Sequence, residues 1–84
     1  MSSNFFSKKT ILITGGTGSF GKKAVTYFLK KKNIKKVIIF SRDELKQSEM
    51  KKKFTSNKLR FFIGDIRDKQ RLLIATQETD FIIH

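Results

Sequence analysis

The sequence predicts an α/β fold built on a parallel sheet, and three observations support this class. Short, largely apolar runs rich in β-branched or aromatic residues recur at residues 11–13, 37–40 and 59–63. The segments between these runs place their apolar residues at helical intervals. The resulting order, β-α-β-α-β-α-β, is typical of a doubly wound parallel sheet with helices on both faces.

The predicted elements alternate without a linker or an internal repeat. Strand one covers residues 10–14, strand two 36–40 and strand three 59–63, and strand four begins near Asp80. Helix one covers residues 19–31, and helix two runs from Asp43 to residue 53. A turn at residues 64–67 precedes a short third helix that Asp68 caps. Right-handed crossovers then give the strand order 3-2-1-4, with a ligand crevice beyond the carboxyl ends of the strands.

Helical spacing also predicts which side chains face the core. In helix one these are Phe20, Ala24, Val25, Phe28 and Leu29. In the third helix they are Leu72, Leu73 and Ala75. The apolar residues of helix two are sparse, so we expect this helix to be more exposed than helix one.

A glycine-rich segment joins strand one to helix one. Gly15 permits a sharp turn off the strand, Gly18 permits close approach to a pyrophosphate, and Gly21 permits tight helix–strand packing. The first-turn N–H groups of the helix then face an anion, which the helix dipole also favours. The sequence therefore predicts the first half of a Rossmann-type, doubly wound dinucleotide-binding fold.

An overlapping pattern, Gly16-x-x-x-x-Gly21-Lys22, resembles the phosphate loop of nucleoside triphosphatases. That loop continues with Ser or Thr, whose hydroxyl holds magnesium. The next residue here is Lys23, a cation that would repel the metal. We therefore disfavour triphosphatase activity and expect no metal site.

The residues after strands two and three predict which dinucleotide is bound. NAD-binding sites carry an acidic residue about 20 positions after the glycine loop, but this chain has Ser41 and Arg42 there. Both side chains can donate to a 2′-phosphate, and Lys46 can add a charge, so the sequence favours NADP. Asp43 keeps NAD open, because it is close enough to contact the ribose. Asp65, after strand three, can accept a hydrogen bond from the adenine amino group.

Composition limits the other possibilities. The chain has 84 residues, no cysteine and a net charge of +12. It therefore has no disulfide, and no apolar run approaches the roughly 20 residues of a membrane span. A cytoplasmic protein without a membrane or nucleic-acid partner is expected. The lysines are spread along the chain, which favours a lysine-rich surface, although a basic nucleic-acid-binding module remains an alternative.

Three segments together resemble the N-terminus of the inverting UDP-N-acetylglucosamine 4,6-dehydratases, a polysaccharide-biosynthesis branch of the extended short-chain dehydrogenases/reductases. They are Thr-Gly-Gly-Thr-Gly-Ser-Phe-Gly at residues 14–21, Phe-Ser-Arg-Asp-Glu-Leu-Lys-Gln-Ser-Glu-Met at 40–50, and Arg-Phe-Phe-Ile-Gly-Asp-Ile-Arg-Asp at 60–68. The segment at residues 41–50 is the most specific of the three. A UDP-sugar epimerase or reductase of the same superfamily is the alternative.

The resemblance implies an NADP site, a UDP-N-acetylglucosamine substrate and a homo-oligomer. The implied cofactor-binding residues are Thr17, Gly18, Ser19, Phe20, Ser41, Arg42, Asp43, Glu44, Leu45, Lys46, Asp65 and Ile66, beside Gly15 from the turn. The implied reaction moves a hydride from C4 of the sugar to NADP, eliminates water across C5–C6, and returns the hydride to C6 with inversion at C5. Its products feed bacterial surface glycans, including nonulosonic acids.

The chain offers no predicted catalytic residue. Tyr27-x-x-x-Lys31 matches the Tyr-x-x-x-Lys spacing of the superfamily, but it falls within helix one, far from the expected position of the nicotinamide. His84, at the end of strand four, is interpreted as structural. The chain ends within a predicted strand, so we expect it to be the N-terminal part, residues 1–84, of a longer enzyme.

We predict that the 84-residue chain alone does not turn over UDP-N-acetylglucosamine and that its fold is only marginally stable. A chain this short buries a small share of its surface against an ordering cost of about 1–2 kcal/mol per residue. Product analysis by mass spectrometry and thermal unfolding with and without NADP test this. Sustained turnover would contradict it and would point to Tyr27 and Lys31.

Overall fold

A computed structural model describes residues 5–15 and 17–84 of the chain. Seven elements follow one another in these ranges: β1 (Thr10–Thr14), α1 (Ser19–Leu29), β2 (Lys36–Ser41), α2 (Glu44–Lys53), β3 (Leu59–Ile63), α3 (Lys69–Thr76) and β4 (Phe81–Ile83). The predicted alternation of strands and helices is therefore confirmed. Residues 1–4, and Gly16 of the disfavoured phosphate loop, lie outside the described ranges.

The four strands form one parallel sheet in the order β3-β2-β1-β4, as predicted. β1 is central: Leu12 pairs with Ile38 of β2 on one side and with Ile82 of β4 on the other. β3 pairs with β2 over the full length of β3, from Leu59 opposite Val37 to Ile63 opposite Ser41. Because all four strands run the same way, their carboxyl ends meet at one edge of the sheet.

The two faces of the sheet are covered unequally. On one face, α1 and α2 bury Val25, Phe28 and Met50 against alternate residues of the strands. On the other face, α3 places Ala75 and the half-buried Leu72 against Leu12 and Phe40. No helix within residues 5–15 and 17–84 is long and apolar enough to cross a membrane.

Helix one is shorter than predicted, and one of its predicted core residues is exposed. The helix ends at Leu29 rather than at residue 31, and the chain then turns so that Ile34 enters the core with only 2% of its surface exposed. The face of α1 toward the sheet carries Gly21, Val25 and Phe28. Phe20 lies about 100° around the helix from Gly21 and is 64% exposed, so its predicted burial is wrong.

The prediction for the third helix is wrong at one residue. Leu72 and Ala75, three positions apart, face the sheet as expected. This orientation turns Leu73 away from the sheet, and its side chain is 67% exposed. Strand β2 also continues one residue further than predicted, because Ser41 pairs with Ile63.

The segment before β1 contributes to packing that the sequence did not reveal. Phe6 packs against the core, with its ring centroid 5.1 Å from that of Phe28 and 5.6 Å from that of Phe81. Backbone bonds hold the segment near the end of α1, with Lys8 N donating to Asn33 O at 2.7 Å. The first described residues therefore close the end of the core beside β4.

Gly64 occupies a position where a side chain does not fit. Its N–H donates to Ser41 O at 2.9 Å, which holds the end of β3 against the end of β2. A Cβ atom at this position would lie 2.7 Å from Cζ of Phe40 and 2.9 Å from Cγ of Arg71. Because Phe40 is fully buried, the ring has little freedom to move away.

We predict that Gly64→Ala lowers the free energy of unfolding by about 1–3 kcal/mol, because the added methyl group overpacks the site beside Phe40. Urea unfolding followed by circular dichroism measures the effect. Gly18→Ala is the comparison: a Cβ there meets no heavy atom within 4 Å, so we expect only the loss of about 0.5–1 kcal/mol that alanine costs at a helix N-cap. Equal unfolding midpoints for Gly64→Ala and the wild type would contradict the clash.

Candidate functional site

The carboxyl ends of the strands border a crevice. The three segments predicted to meet there follow β1, β2 and β3, and residues from each line a cavity of about 400 Å³. Its lining residues are Thr14, Gly15, Phe40, Ser41, Arg42, Gly64, Asp65, Ile66, Arg67 and His84. Five of the predicted cofactor-binding residues are therefore brought together here: Gly15, Ser41, Arg42, Asp65 and Ile66.

The turn from β1 into α1 has the conformation that its glycines predict. Gly15 adopts a φ of +64°, in the left-handed region that favours glycine, and its N–H donates to Phe40 O at 2.8 Å. The N-cap residue of α1 is Gly18, which provides no capping side chain, and the first turn contains no acidic residue. The N–H groups of this turn therefore face outward without a protein carboxylate to neutralise them.

The other two helices begin differently. Asp43 caps α2, with its carboxylate accepting from Lys46 N at 2.9 Å, and Asp68 caps α3 by accepting from Arg71 N at 3.2 Å. An anion would compete with these carboxylates at α2 and α3 but not at α1. The N-terminus of α1 is thus the one of the three described helix starts that is suited to a phosphate group.

A second cavity, also of about 400 Å³, lies between α1 and α2. It is lined by the predicted residues Thr17, Gly18, Ser19 and Lys46, together with Lys22, Lys23 and Glu49. Three lysines face one carboxylate, so the local charge is positive. The two hydroxyl groups can donate hydrogen bonds, and the cavity is therefore chemically suited to an anion.

Asp65 is surrounded by arginine side chains at the rim of the first cavity. Arg67 donates to it from its backbone N at 2.9 Å, from Nε at 3.1 Å and from NH2 at 2.7 Å. Arg42 NH1 lies 3.5 Å from Oδ2. The hydrogen bonds from Arg67 hold the pKa of the Asp65 carboxyl well below its usual range, and the same contact raises the pKa of Arg67.

Gln47 is a structural residue of the site that sequence analysis missed. Its Nε2 donates to Ser41 Oγ at 3.0 Å and to Phe62 O at 3.2 Å, and only 2% of the surface of the residue is exposed. It joins α2 to the ends of β2 and β3. Its burial could have been predicted from its position, because Gln47 lies three residues before the apolar Met50 and therefore on the same face of α2. Ser41 Oγ accepts from Gln47, which leaves its own O–H free to donate.

Some predicted residues line neither cavity. Phe20 and Leu45 are exposed, Glu44 is an exposed residue in the first turn of α2, and the carboxylate of Asp43 is used as the cap. Because these four residues line neither cavity, their role in cofactor binding stays a prediction. For Asp43, capping gives a structural reason for an acidic residue next to Arg42.

The structure places the three other side chains that the sequence analysis singled out, His84, Tyr27 and Lys31, at two different ends of the sheet. His84 Nδ1 lies 2.6 Å from Thr14 Oγ1 and joins the ends of β4 and β1. Tyr27 and Lys31 lie at the end of α1, toward the amino ends of the strands, with Lys31 Nζ 4.4 Å from the centroid of the Tyr27 ring. No group of three or more metal-ligating side chains occurs within residues 5–15 and 17–84.

The described residues fit a nucleotide cofactor. The uncapped first turn of α1 provides N–H donors for a pyrophosphate, and the cavity after β1, β2 and β3 provides a mainly apolar space that an adenosine group can fill. Arg42 borders that cavity with 70% of its side chain exposed, so it is free to turn toward an anion. Cationic donors of this kind can bind the phosphate groups of a nucleotide.

Fold and crevice together define a Rossmann-like α/β chain of the short-chain dehydrogenase/reductase type. A solved structure described as Pen from Bacillus thuringiensis has a TM-score of 0.88 and 38% identity, over 93% of this chain and 24% of that one. Residues 11–84 match the family described as polysaccharide biosynthesis protein, and the chain belongs to that family.

Curated relatives agree with this family. The chain is 57% identical over 94% of its length to the inverting UDP-N-acetylglucosamine 4,6-dehydratase of Campylobacter jejuni subsp. jejuni. It is 45% identical, again over 94% of its length, to the UDP-glucose 4-epimerase of Rickettsia prowazekii. The chain spans 24% of the length of each of these relatives. The resemblance found in the sequence is therefore confirmed, for a segment that corresponds to the N-terminal part of the dehydratase.

We predict that Arg67→Ala returns the pKa of Asp65 toward the ordinary carboxyl value of about 3.9. Carbon-detected NMR titration of the Asp65 carboxyl group measures it directly. Because the folded-state pKa of Asp65 is lowered, its stabilising contribution is present above the unfolded-state pKa and is lost as pH falls through the folded-state value. The stability difference between variant and wild type should therefore be constant near neutral pH and shrink below about pH 4.

Arg60→Ala is the control for this titration, because Arg60 lies in β3, just before Asp65 in the chain, and bonds only to backbone carbonyls. It should leave the pKa of Asp65 where it is in the wild type. An unchanged Asp65 titration in Arg67→Ala would show that Arg67 does not hold the carboxylate.

Proposed function

We propose that this chain is the NADP-binding, N-terminal part of a UDP-N-acetylglucosamine 4,6-dehydratase of the inverting type. The observation that carries the proposal is the arrangement at the carboxyl edge of the sheet. There an uncapped helix start follows the Gly15 turn. Arg42 lines the cavity at the strand ends, and Lys46 lines the cavity between α1 and α2. Donors for a pyrophosphate and cations for a 2′-phosphate are thus available at neighbouring positions.

Each part of the cofactor has candidate partners among the described residues. The N–H groups of the first turn of α1, after Gly18, would hold the pyrophosphate. Arg42 and Lys46, with the hydroxyl groups of Thr17, Ser19 and Ser41, would surround the 2′-phosphate. Asp65 and Ile66 would border the adenine, in the cavity after β3. When bound, the cofactor supplies hydride acceptance and return.

The substrate follows from the relatives rather than from the crevice. The relative with 57% identity is a dehydratase acting on UDP-N-acetylglucosamine, which supports that sugar nucleotide for this chain. The epimerases at 45% identity support a second candidate, a UDP-sugar 4-epimerase. Products from UDP-N-acetylglucosamine and UDP-glucose, measured with a longer protein that contains this chain, separate the two.

A longer protein is also supported by apolar surface in the described part. Leu73 and Ile74 on α3 and Ile82 on β4 are 67%, 56% and 55% exposed. These side chains are large enough to be stabilised if further elements covered them. We expect the remaining part of such a protein to supply the catalytic residues and the sugar pocket. The homo-oligomer implied by the resemblance stays a prediction.

We predict that Arg42→Ala weakens NADP binding about tenfold or more and leaves NAD binding within about threefold, because charged hydrogen bonds contribute roughly 1.5–3 kcal/mol each. Isothermal titration calorimetry with both dinucleotides measures the two dissociation constants. Equal losses for both would show that Arg42 does not read the phosphate, and would favour NAD as the cofactor.

Lys52→Ala is the matched control. It removes one positive charge, as Arg42→Ala does, but Lys52 lies in the last turn of α2, away from the crevice. Its NADP affinity should stay within about twofold of the wild type at physiological salt, where distant charges are screened. A loss as large as that of Arg42→Ala would mean that net charge, rather than a defined phosphate site, governs binding.

A further inference from the structure

The carboxylate of Asp65 has no acceptor position left for a ligand in the structure. An ionised carboxylate offers about four lone-pair positions on its two oxygens. Oδ1 accepts from the backbone N of Arg67 at 2.9 Å, and the Nε of Arg67 is shared between the two oxygens, 3.1 Å from Oδ1 and 3.2 Å from Oδ2. Oδ2 accepts from NH2 of Arg67 at 2.7 Å and from NH1 of Arg42 at 3.5 Å. An adenine amino group therefore needs one of these donors to leave first.

The two arginines hold Asp65 very differently. Arg67 makes four hydrogen bonds from three N–H donors, uses both side-chain and backbone atoms, and is only two residues away in the chain. Arg42 makes one long contact from a side chain that is 70% exposed. The Arg42 contact is thus the weaker of the two, as expected for a solvent-exposed ion pair. Arg42 is the donor that can leave.

A 2′-phosphate is a better partner for Arg42 than Asp65 is. A phosphate monoester carries up to two negative charges and accepts both arms of a guanidinium in one plane. Arg42 and Asp65 line the same cavity, so a small rotation of the exposed side chain is enough to exchange one partner for the other. The exchange exposes one lone-pair position on Oδ2, next to the space proposed for the adenine.

We propose that Arg42 links recognition of the 2′-phosphate to recognition of the adenine amino group: binding of the phosphate draws Arg42 from Asp65, and Asp65 then accepts from the base. Arg67 is the positioning residue that keeps the carboxylate in place after Arg42 has moved. This inference rests on the proposed cofactor site. It adds a specificity mechanism in which the amino group is read fully only when the phosphate is present.

Four ligands test the link without any need for enzymatic activity. They are NADP, NAD and the two analogues in which hypoxanthine replaces adenine, so that the amino group is absent. Dissociation constants are measured by titration calorimetry with the 84-residue chain, under conditions in which circular dichroism shows that it is folded. In the wild type, loss of the amino group should weaken the NADP series about fivefold and the NAD series less than twofold. Other effects of hypoxanthine act on both series and cancel in the comparison.

Variants identify the side chain responsible. In Arg42→Ala, Asp65 is open to the base with either ligand, so the effect of the amino group should become equal, about fivefold, in both series. In Arg67→Ala, the Asp65 carboxylate is no longer held in place, and loss of the amino group should weaken binding less than twofold in both the NADP and the NAD series. Arg67→Lys restores the positive charge but not the planar guanidinium group, so it should recover only part of the effect of the amino group on affinity.

The outcomes separate this inference from the proposed function. The link would be overturned if loss of the amino group weakened the NADP and NAD series equally in the wild type. It would also be overturned if the two series still differed in Arg42→Ala. Neither result would contradict the proposed cofactor site. Failure of all four ligands to bind would overturn the proposed function, and the link with it. Because the wild-type comparison needs no substitution, an unstable variant does not prevent a decision.

Discussion

The structure depends on the burial of β1 between two other strands and under helices on both faces. Ile11, Leu12 and Ile13 have no exposed surface, which is the expected result for an apolar run at the centre of a parallel sheet. A strand buried in this way has one register that keeps alternate side chains on their own faces. Its carboxyl end is therefore fixed, and with it the position of the Gly15 turn and the start of α1.

The site combines this fixed backbone with side chains that are free to move. The turn, the uncapped helix start and the contact between Gly64 and Phe40 are set by backbone geometry and packing. Arg42 and Lys46 are exposed and are positioned mainly by the strand and helix ends that carry them, with one long contact from Arg42 to Asp65. Such a division is suited to nucleotide binding, because the pyrophosphate is met by preorganised N–H groups while the variable part of the ligand is met by adaptable charges.

Much of the fold was predictable from local sequence signals. Apolar runs gave the strands, Asp43 and Asp68 gave the helix starts, and right-handed crossovers gave the strand order. Besides the ends of α1 and β2, two errors concern rotation about a helix axis: Phe20 and Leu73 are apolar but exposed, whereas their neighbours Gly21 and Leu72 face the sheet. Spacing alone defines a stripe about 100° wide, so a residue at its edge is not assigned until the helix is packed.

The site was predictable where it depends on backbone and much less so where it depends on contacts. Gly15 and the three strand ends follow from the glycine motif and the topology. Gln47 was missed because a polar residue in a helix usually faces water, and only the structure shows three acceptors around its Nε2. The arginine pair around Asp65 was also missed, because Arg42 and Asp65 are 23 residues apart in the chain.

β4 has one consequence for how copies of this chain behave together. It is an edge strand of three uncharged residues, Phe81–Ile83, whereas the opposite edge strand, β3, carries the exposed Arg60. An uncharged edge favours pairing with another chain, but a net charge of +12 makes two copies repel each other. The balance between attraction and repulsion is set by ionic strength, since added salt shortens the range of the repulsion and leaves backbone hydrogen bonding intact. If two copies paired through this edge, concentrated salt would favour the pairing and dilute buffer would oppose it.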